Sequence, residues 1–160
     1  MRRLKQQEES LVYVEIVRFL LAKGADPNLK GGQYRDALQA AVDGSAQGNT
    51  EDNNIDAVRL ILDHDGDLQH RGGDYRSAML AAVLTGNIVA AHLFIDLGVE
   101  LEDEVFLEAI KSERASVVPR LFEKGVNVNA ENKHGTALQF AIRNGDNSII
   151  RQGNSISPPN

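Results

Sequence analysis

A chain of 160 residues, 42% of them hydrophobic and 25% charged, is long enough to bury its own core and too apolar to be disordered throughout. Its net charge of −6 gives no global attraction to nucleic acid or to an anionic membrane, and the absence of cysteine excludes disulfides and thiolate metal sites. Aromatic residues are only 5% and tryptophan is absent, which suits close helix packing through small residues.

Met1 to Ser10 is polar and charged, without the apolar run of a secretory signal. Residues 1–12 are read as an N-terminal extension of the first helix. Ile16-Val17-Arg18-Phe19-Leu20-Leu21-Ala22-Lys23-Gly24-Ala25-Asp26 then predicts a helix with one buried face, ended by Gly24 in a left-handed conformation. Gly31-Gly32-Gln33-Tyr34-Arg35 is a turn leading into the short small-residue helix Ala37-Leu38-Gln39-Ala40-Ala41. The polar stretch Gly44 to Asn54 is expected to be a mobile surface loop. After it the same two blocks return, as Ala57-Val58-Arg59-Leu60-Ile61-Leu62 and Gly72-Gly73-Asp74-Tyr75-Arg76-Ser77-Ala78-Met79-Leu80-Ala81-Ala82. Between Tyr34 and Tyr75 the offset is 41 residues.

Ala78 to Ile95 is long and apolar enough to raise the question of a membrane span. Thr85-Gly86-Asn87 and His92 interrupt it, and the repeat explains it as two short helices joined at Gly86-Asn87. Further copies follow at Val105-Phe106-Leu107-Glu108-Ala109, at Val117 to Asn127 and at His134-Gly135-Thr136-Ala137-Leu138. From Asp65 to Gly98 the step is 33 residues, and the 41-residue step is that unit with its connection lengthened. A single unit cannot bury its apolar face, so the units must stack.

The recurring blocks resemble the ankyrin repeat family, whose pattern runs Gly-x-Thr-Pro-Leu-His-x-Ala-Ala and then Leu-Leu-x-x-Gly-Ala-Asp-x-Asn. Thr136-Ala137-Leu138-Gln139 and Asn127-Val128-Asn129-Ala130 match parts of it. The Gly-Gly-x-Tyr-x-x-Ala-Leu-Gln-Ala-Ala form is similar to the arrays of large filamentous-fungal ankyrin proteins, where repeats follow a nucleotide-triphosphatase core. The resemblance implies an all-α ankyrin-repeat solenoid of stacked helix-turn-helix units, four to five helix pairs, over residues 13–151. It comprises a half repeat, three repeats and an incomplete last repeat, with residues 152–160 as a disordered tail.

Two departures stand out. Ala37, Ala78 and Ala137 replace the family's helix-starting proline, so another device must begin these helices. The unit from Val105 to Gly125 lacks the Gly-Gly-x-Tyr turn and carries Pro119 in its second helix. An interior proline costs about 3 kcal/mol unless it lies in the first turn, so this unit is expected to be the weakest.

By the resemblance, turn tips and first-helix ends line a concave binding surface. Candidate partner-binding residues are Gln33, Tyr34, Arg35, Asp74, Tyr75, Arg76 and Lys133 on the turns. Asp43, Leu84, Thr85, Lys111, Ser112, Arg143 and Asn144 are those at the helix ends. Tyrosine is favoured at binding hot spots. Two tyrosines at equivalent places read more readily as packing of one turn on the next. Arg35, Arg71, Arg76, Lys111, Lys133 and Arg143 fall on or near this face, with the acidic residues Glu51, Asp52, Asp63, Asp65, Asp67, Asp96, Glu100, Glu102, Asp103 and Glu104 assigned elsewhere. That split suggests an acidic partner patch, although ordinary solvated loops explain it too.

His64, His70, His92 and His134 have no companion ligand at metal-site spacing, and Asp63-His64-Asp65-Gly66-Asp67 lacks the length and closing glutamate of an EF-hand. No phosphate-cradling loop, esterase elbow or zinc-protease motif occurs. The expected function is a non-enzymatic protein–protein interaction module in the cytoplasm, with the nucleus left open. It would need no cofactor or metal, and would bind a protein rather than nucleic acid or membrane. Self-association through uncapped ends is also expected. The alternative is a fragment or regulatory and sensor arm of a larger signalling NTPase whose catalytic domain lies outside this chain.

Overall fold

The structure, a computed structural model, describes residues 13–43 and 51–145. The described chain holds eight helices: α1 over residues 13–22, α2 (Ala37–Asp43), α3 (Glu51–Asp63), α4 (Ala78–Thr85), α5 (Ile88–Asp96), α6 (Asp103–Lys111), α7 (Val118–Glu123) and α8 (Ala137–Asn144). Two strands, β1 (Glu131–Asn132) and β2 (Gly135–Thr136), pair antiparallel in a hairpin just before α8.

The helices pack in two rows. The inner helices α2, α4, α6 and α8 lie each against the next. The outer helices α3, α5 and α7 stack likewise, and α2–α3, α4–α5 and α6–α7 are the pairs within a unit. By register α1 heads the outer row. The stacked all-α solenoid expected from the repeats is the fold observed, and the apolar run from Ala78 to Ile95 is α4 and α5, parted by Gly86 at φ +81°. Among the described residues no helix is long and apolar enough to cross a membrane. Residues Ala78 to Val83 are all buried, because α4 has a neighbour on every side but its end.

Side-chain caps replace the missing prolines. The Gln39 amide N–H donates to Asp36 Oδ1 (2.9 Å), Leu80 N–H to Ser77 Oγ (3.1 Å), and Gln139 N–H to Thr136 Oγ1 (3.3 Å). At the third, Gln139 Oε1 accepts from the Thr136 N–H in return, closing a capping box. Gly24, Gly98 and Gly125 follow the outer helices with φ between +77° and +88°, as a left-handed terminator requires, and Asp65 takes that place after α3 at φ +64°.

Two expectations need correction. Glu51 to Asn54 are the first turn of α3, so the outer helix runs back through what the polar composition marked as loop; residues 44–50 lie outside the described residues. Pro119 sits in the first turn of α7, where it displaces no helical hydrogen bond. The helix begins late, at Val118 after Val117, and is only six residues long. Length, and not a broken interior, is what distinguishes that unit. The expected N-terminal extension and the tail at 152–160 lie outside the described residues.

Candidate interaction face

The turns preceding the inner helices project as fingers, and the first two interlock. The Tyr34 and Tyr75 rings stack with centroids 6.4 Å apart and planes 15° from parallel. Beside them the Asp74 N–H donates to the Gln33 carbonyl (3.0 Å). The Tyr75 hydroxyl bonds the Asp43 carboxylate at the end of α2; partial burial, then this bond, raises the phenol pKa above its usual value near 10.0. Tyr34, Tyr75 and Asp43 therefore form one group.

Arg35 and Arg76 hold equivalent finger positions at φ +71° and +67°, a region non-glycine residues rarely adopt. Each uses its side chain to reach the following unit. The Arg35 guanidinium end lies over Gly72, where a side chain would meet Arg35 Nε at 2.9 Å. Arg76 pairs with Glu104, while Arg71 pairs with Glu102 and with Glu100 (3.0 Å). The acidic residues 100–104 thus share a face with the arginines. The third unit has no finger, so its acidic connection lies directly under the arginines of the second. The separation of charge expected from the sequence does not hold there. These pairs are largely exposed, each a matter of about 0–1 kcal/mol, and their effect is to neutralise the face locally.

The inner-helix ends carry the rest of the candidates. Leu84 is exposed on α4; Thr85 Oγ1 donates back to the Ala81 carbonyl (2.9 Å). Lys111 is exposed and pairs with Glu108 on its own helix (2.9 Å). Ser112 is the C-cap of α6. Arg143 is exposed, with its guanidinium 6.0 Å from the Phe140 ring centroid. Asn144 is committed inward, its amide donating to the Ile110 (3.0 Å) and Lys111 (3.1 Å) carbonyls. Lys133 stands exposed on the β1–β2 hairpin, without an ion-pair partner among the described residues.

Asn144 belongs to a set that sequence reasoning missed. Asn87 donates to the Val42 carbonyl (3.3 Å) and Arg114 Nε to the Val83 carbonyl (3.3 Å). At every inner-helix junction a side chain of one unit satisfies a carbonyl at the open C-terminal turn of the unit before. Asn87 and Arg114 stand one place after the left-handed residues Gly86 and Glu113, and that shared register was the available signal. A second missed group is buried beneath the fingers: Asp36 Oδ2 lies 3.2 Å from His70 Nδ1 and accepts from Gln39 Nε2 (3.3 Å). His70 is thus tied to the fold. Among the described residues no three His, Cys, Asp or Glu groups converge as a metal site would need.

The ankyrin repeat family model matches residues 10–32, which include the outer helix α1 and the turn after it. No curated protein matches significantly. Among solved structures the chain is similar to the ankyrin repeat domain of Bcl-3, described as a unique member of the IkappaB protein family. The TM-score is 0.54 at 20% identity, over 92% of this chain and 83% of that one. Recurring helix pairs, capped inner helices, left-handed terminators and these two matches lead to one conclusion: the chain has the ankyrin-repeat fold.

Proposed function

We propose that the array is a non-enzymatic protein-interaction module that grips its partner along the fingers and the exposed ends of the inner helices. The observation that carries this is a row at one register: Asp43, Leu84, Lys111 and Arg143 occupy the same position on α2, α4, α6 and α8. Leu84, Lys111 and Arg143 are exposed there, while the matching core positions are buried. A leucine and two cations spaced by the repeat present an apolar contact beside positive charge, which suits an acidic protein surface bearing apolar anchors. The stacked tyrosines hold the fingers in place at the edge of that row.

The test is affinity capture with the purified array and a variant carrying Leu84→Asp, Lys111→Glu and Arg143→Glu. Their side chains are exposed and make no hydrogen bond or ion pair to another unit among the described residues, so helicity should persist while capture and its salt dependence fall. A control reversing the exposed outer-helix residues Asp56 and Asp63 should capture normally. Equal loss in the control, or undiminished capture by the triple variant, would place the binding surface elsewhere.

A further inference from the structure

The finger row has a gap in its interior. The first, second and fourth units carry a finger ahead of the inner helix, at residues 31–35, 72–76 and 131–136. The third passes from Val99 straight into α6 through Glu100, Leu101 and Glu102. Where a finger would follow the second one, the chain instead presents Glu100, Glu102 and Glu104. Arg71 pairs with Glu102 and with Glu100 (3.0 Å), and Arg76 pairs with Glu104. Arg35, the counterpart of Arg76 on the first finger, has no carboxylate partner among the described residues, because a finger follows it and supplies Gly72 and Gly73.

The third unit does not need these three carboxylates for its own folding. Glu102 stands at the N-cap of α6, yet its side chain makes no capping bond. Asp103 remains in the first turn to complement the helix dipole when Glu104 is otherwise engaged. Arg71 and Arg76 keep 47% and 63% of their side-chain surface in solvent, and Glu100 keeps 73%. Ion pairs this exposed are weak, so either side exchanges its partner readily.

We infer that Glu100, Glu102 and Glu104 are a built-in stand-in for an acidic segment of the partner. They occupy Arg71 and Arg76 in the free array and give way when the partner's carboxylates arrive. This rests on the fingers being part of the partner face, and adds which side chains grip and what they grip. The segment also defines the form of the ligand. Glu102 is extended at φ −92° and ψ 147°, and Glu100 and Glu102, at alternate positions, reach one guanidinium, whose planar fork suits carboxylates. The ligand is thus an extended acidic peptide with carboxylates at alternate positions. The glutamates also repel any anion that does not displace them, so a lone carboxylate is rejected and a run of them is admitted.

The unmasked array carries Glu100→Gln, Glu102→Gln and Glu104→Gln. A charge-matched control carries Asp56→Asn, Asp63→Asn and Glu123→Gln, at exposed places on the outer helices. The probe is fluorescently labelled poly-L-glutamate, titrated at low salt and followed by anisotropy. The unmasked array should bind it more tightly than the control by about threefold or more, the scale of one or two exposed pairs. Adding Arg71→Ala and Arg76→Ala to the unmasked array should remove the gain. Helicity should be unchanged, and the melting temperature should fall by no more than about 5 °C. An equal gain in the control, a gain that survives loss of both arginines, no binding by the unmasked array, or a larger drop in melting temperature would overturn the proposal. If the gain appears while the Leu84, Lys111 and Arg143 variant captures normally, the inner-helix row fails and the arginine site stands. If that variant loses capture and unmasking brings no gain, the row stands and the arginine site fails.

Discussion

Arg35 of the first finger lies on Gly73 of the second so closely that a Cβ on Gly73 would stand 2.9 Å from the Arg35 Cβ. It would also stand 2.9 Å from the Tyr34 carbonyl oxygen and 3.0 Å from Gln39 Oε1, on a backbone held at φ +70°. The glycine pair is thus the floor on which the preceding finger rests. Gly73→Ala should cost about 1–3 kcal/mol, combining left-handed strain with displacement of that finger. Gly98→Ala, at φ +77° with nothing within 4 Å of the added carbon, should cost only the strain, about 1 kcal/mol. Urea unfolding of the two variants compares them directly; equal losses would mean the fingers do not bear on one another.

Asp36 serves more partners than its counterpart Ser77. It caps α2, accepts from the buried Gln39 amide and holds the His70 ring. Asp36→Ala should cost about 2–4 kcal/mol, since it removes a cap and strands buried polar groups, whereas Ser77→Ala should cost about 1 kcal/mol. Asp36→Asn keeps the cap and should recover part of the loss. Thermal or urea unfolding reads all three.

The parts of this architecture that were legible in the sequence are those set by a residue's near neighbours. Gly24, Gly98 and Gly125 announced left-handed helix ends because only a few residues tolerate that conformation cheaply. Tyr34 and Tyr75, at one phase of the repeat, read as finger packing and stack as such. What stayed hidden depends on distances across units. Arg71 and Glu102 are 31 residues apart and meet because the third unit lacks a finger, a deletion whose spatial result no local pattern encodes. Asn144 read as a surface residue, yet its amide serves carbonyls of α6, contacts that exist only once units stack. Glu51 to Asn54 read as loop from their polarity, whereas the chain continues α3 back through them.

The Tyr75–Asp43 bond should make the array sensitive to alkali. Because the folded-state pKa of Tyr75 is raised, the stability it contributes is fully present below the unfolded tyrosine pKa near 10 and is lost as pH rises through the higher folded value. Tyr75→Phe should cost about 1 kcal/mol at neutral pH and should flatten the fall in melting temperature above about pH 10. A melting profile from pH 7 upward, unchanged by this substitution, would show that the hydroxyl contributes nothing.

Arg76 holds a left-handed backbone in order to reach Glu104. Arg76→Gly removes about 1 kcal/mol of backbone strain and forfeits an exposed ion pair of about 0–1 kcal/mol, so stability should change by less than about 1 kcal/mol in either direction. Raising the salt concentration should then destabilise the wild type slightly more than the variant. Denaturant midpoints at low and high salt measure the difference.

Units in a nearest-neighbour stack stabilise one another; among the described residues α4 to α6 are buried by neighbours on both sides, whereas α1 and α8 expose Leu20, Leu138 and Ile142. Amide hydrogen exchange resolved by segment, in a dilute monomeric sample, tests it most directly. Protection should be greatest in α4, α5 and α6 and should fall toward α1 and α8, with Leu138 to Asn144 exchanging well before Ala78 to Ile95. Protection in α8 equal to that in α4 and α5 would contradict the account.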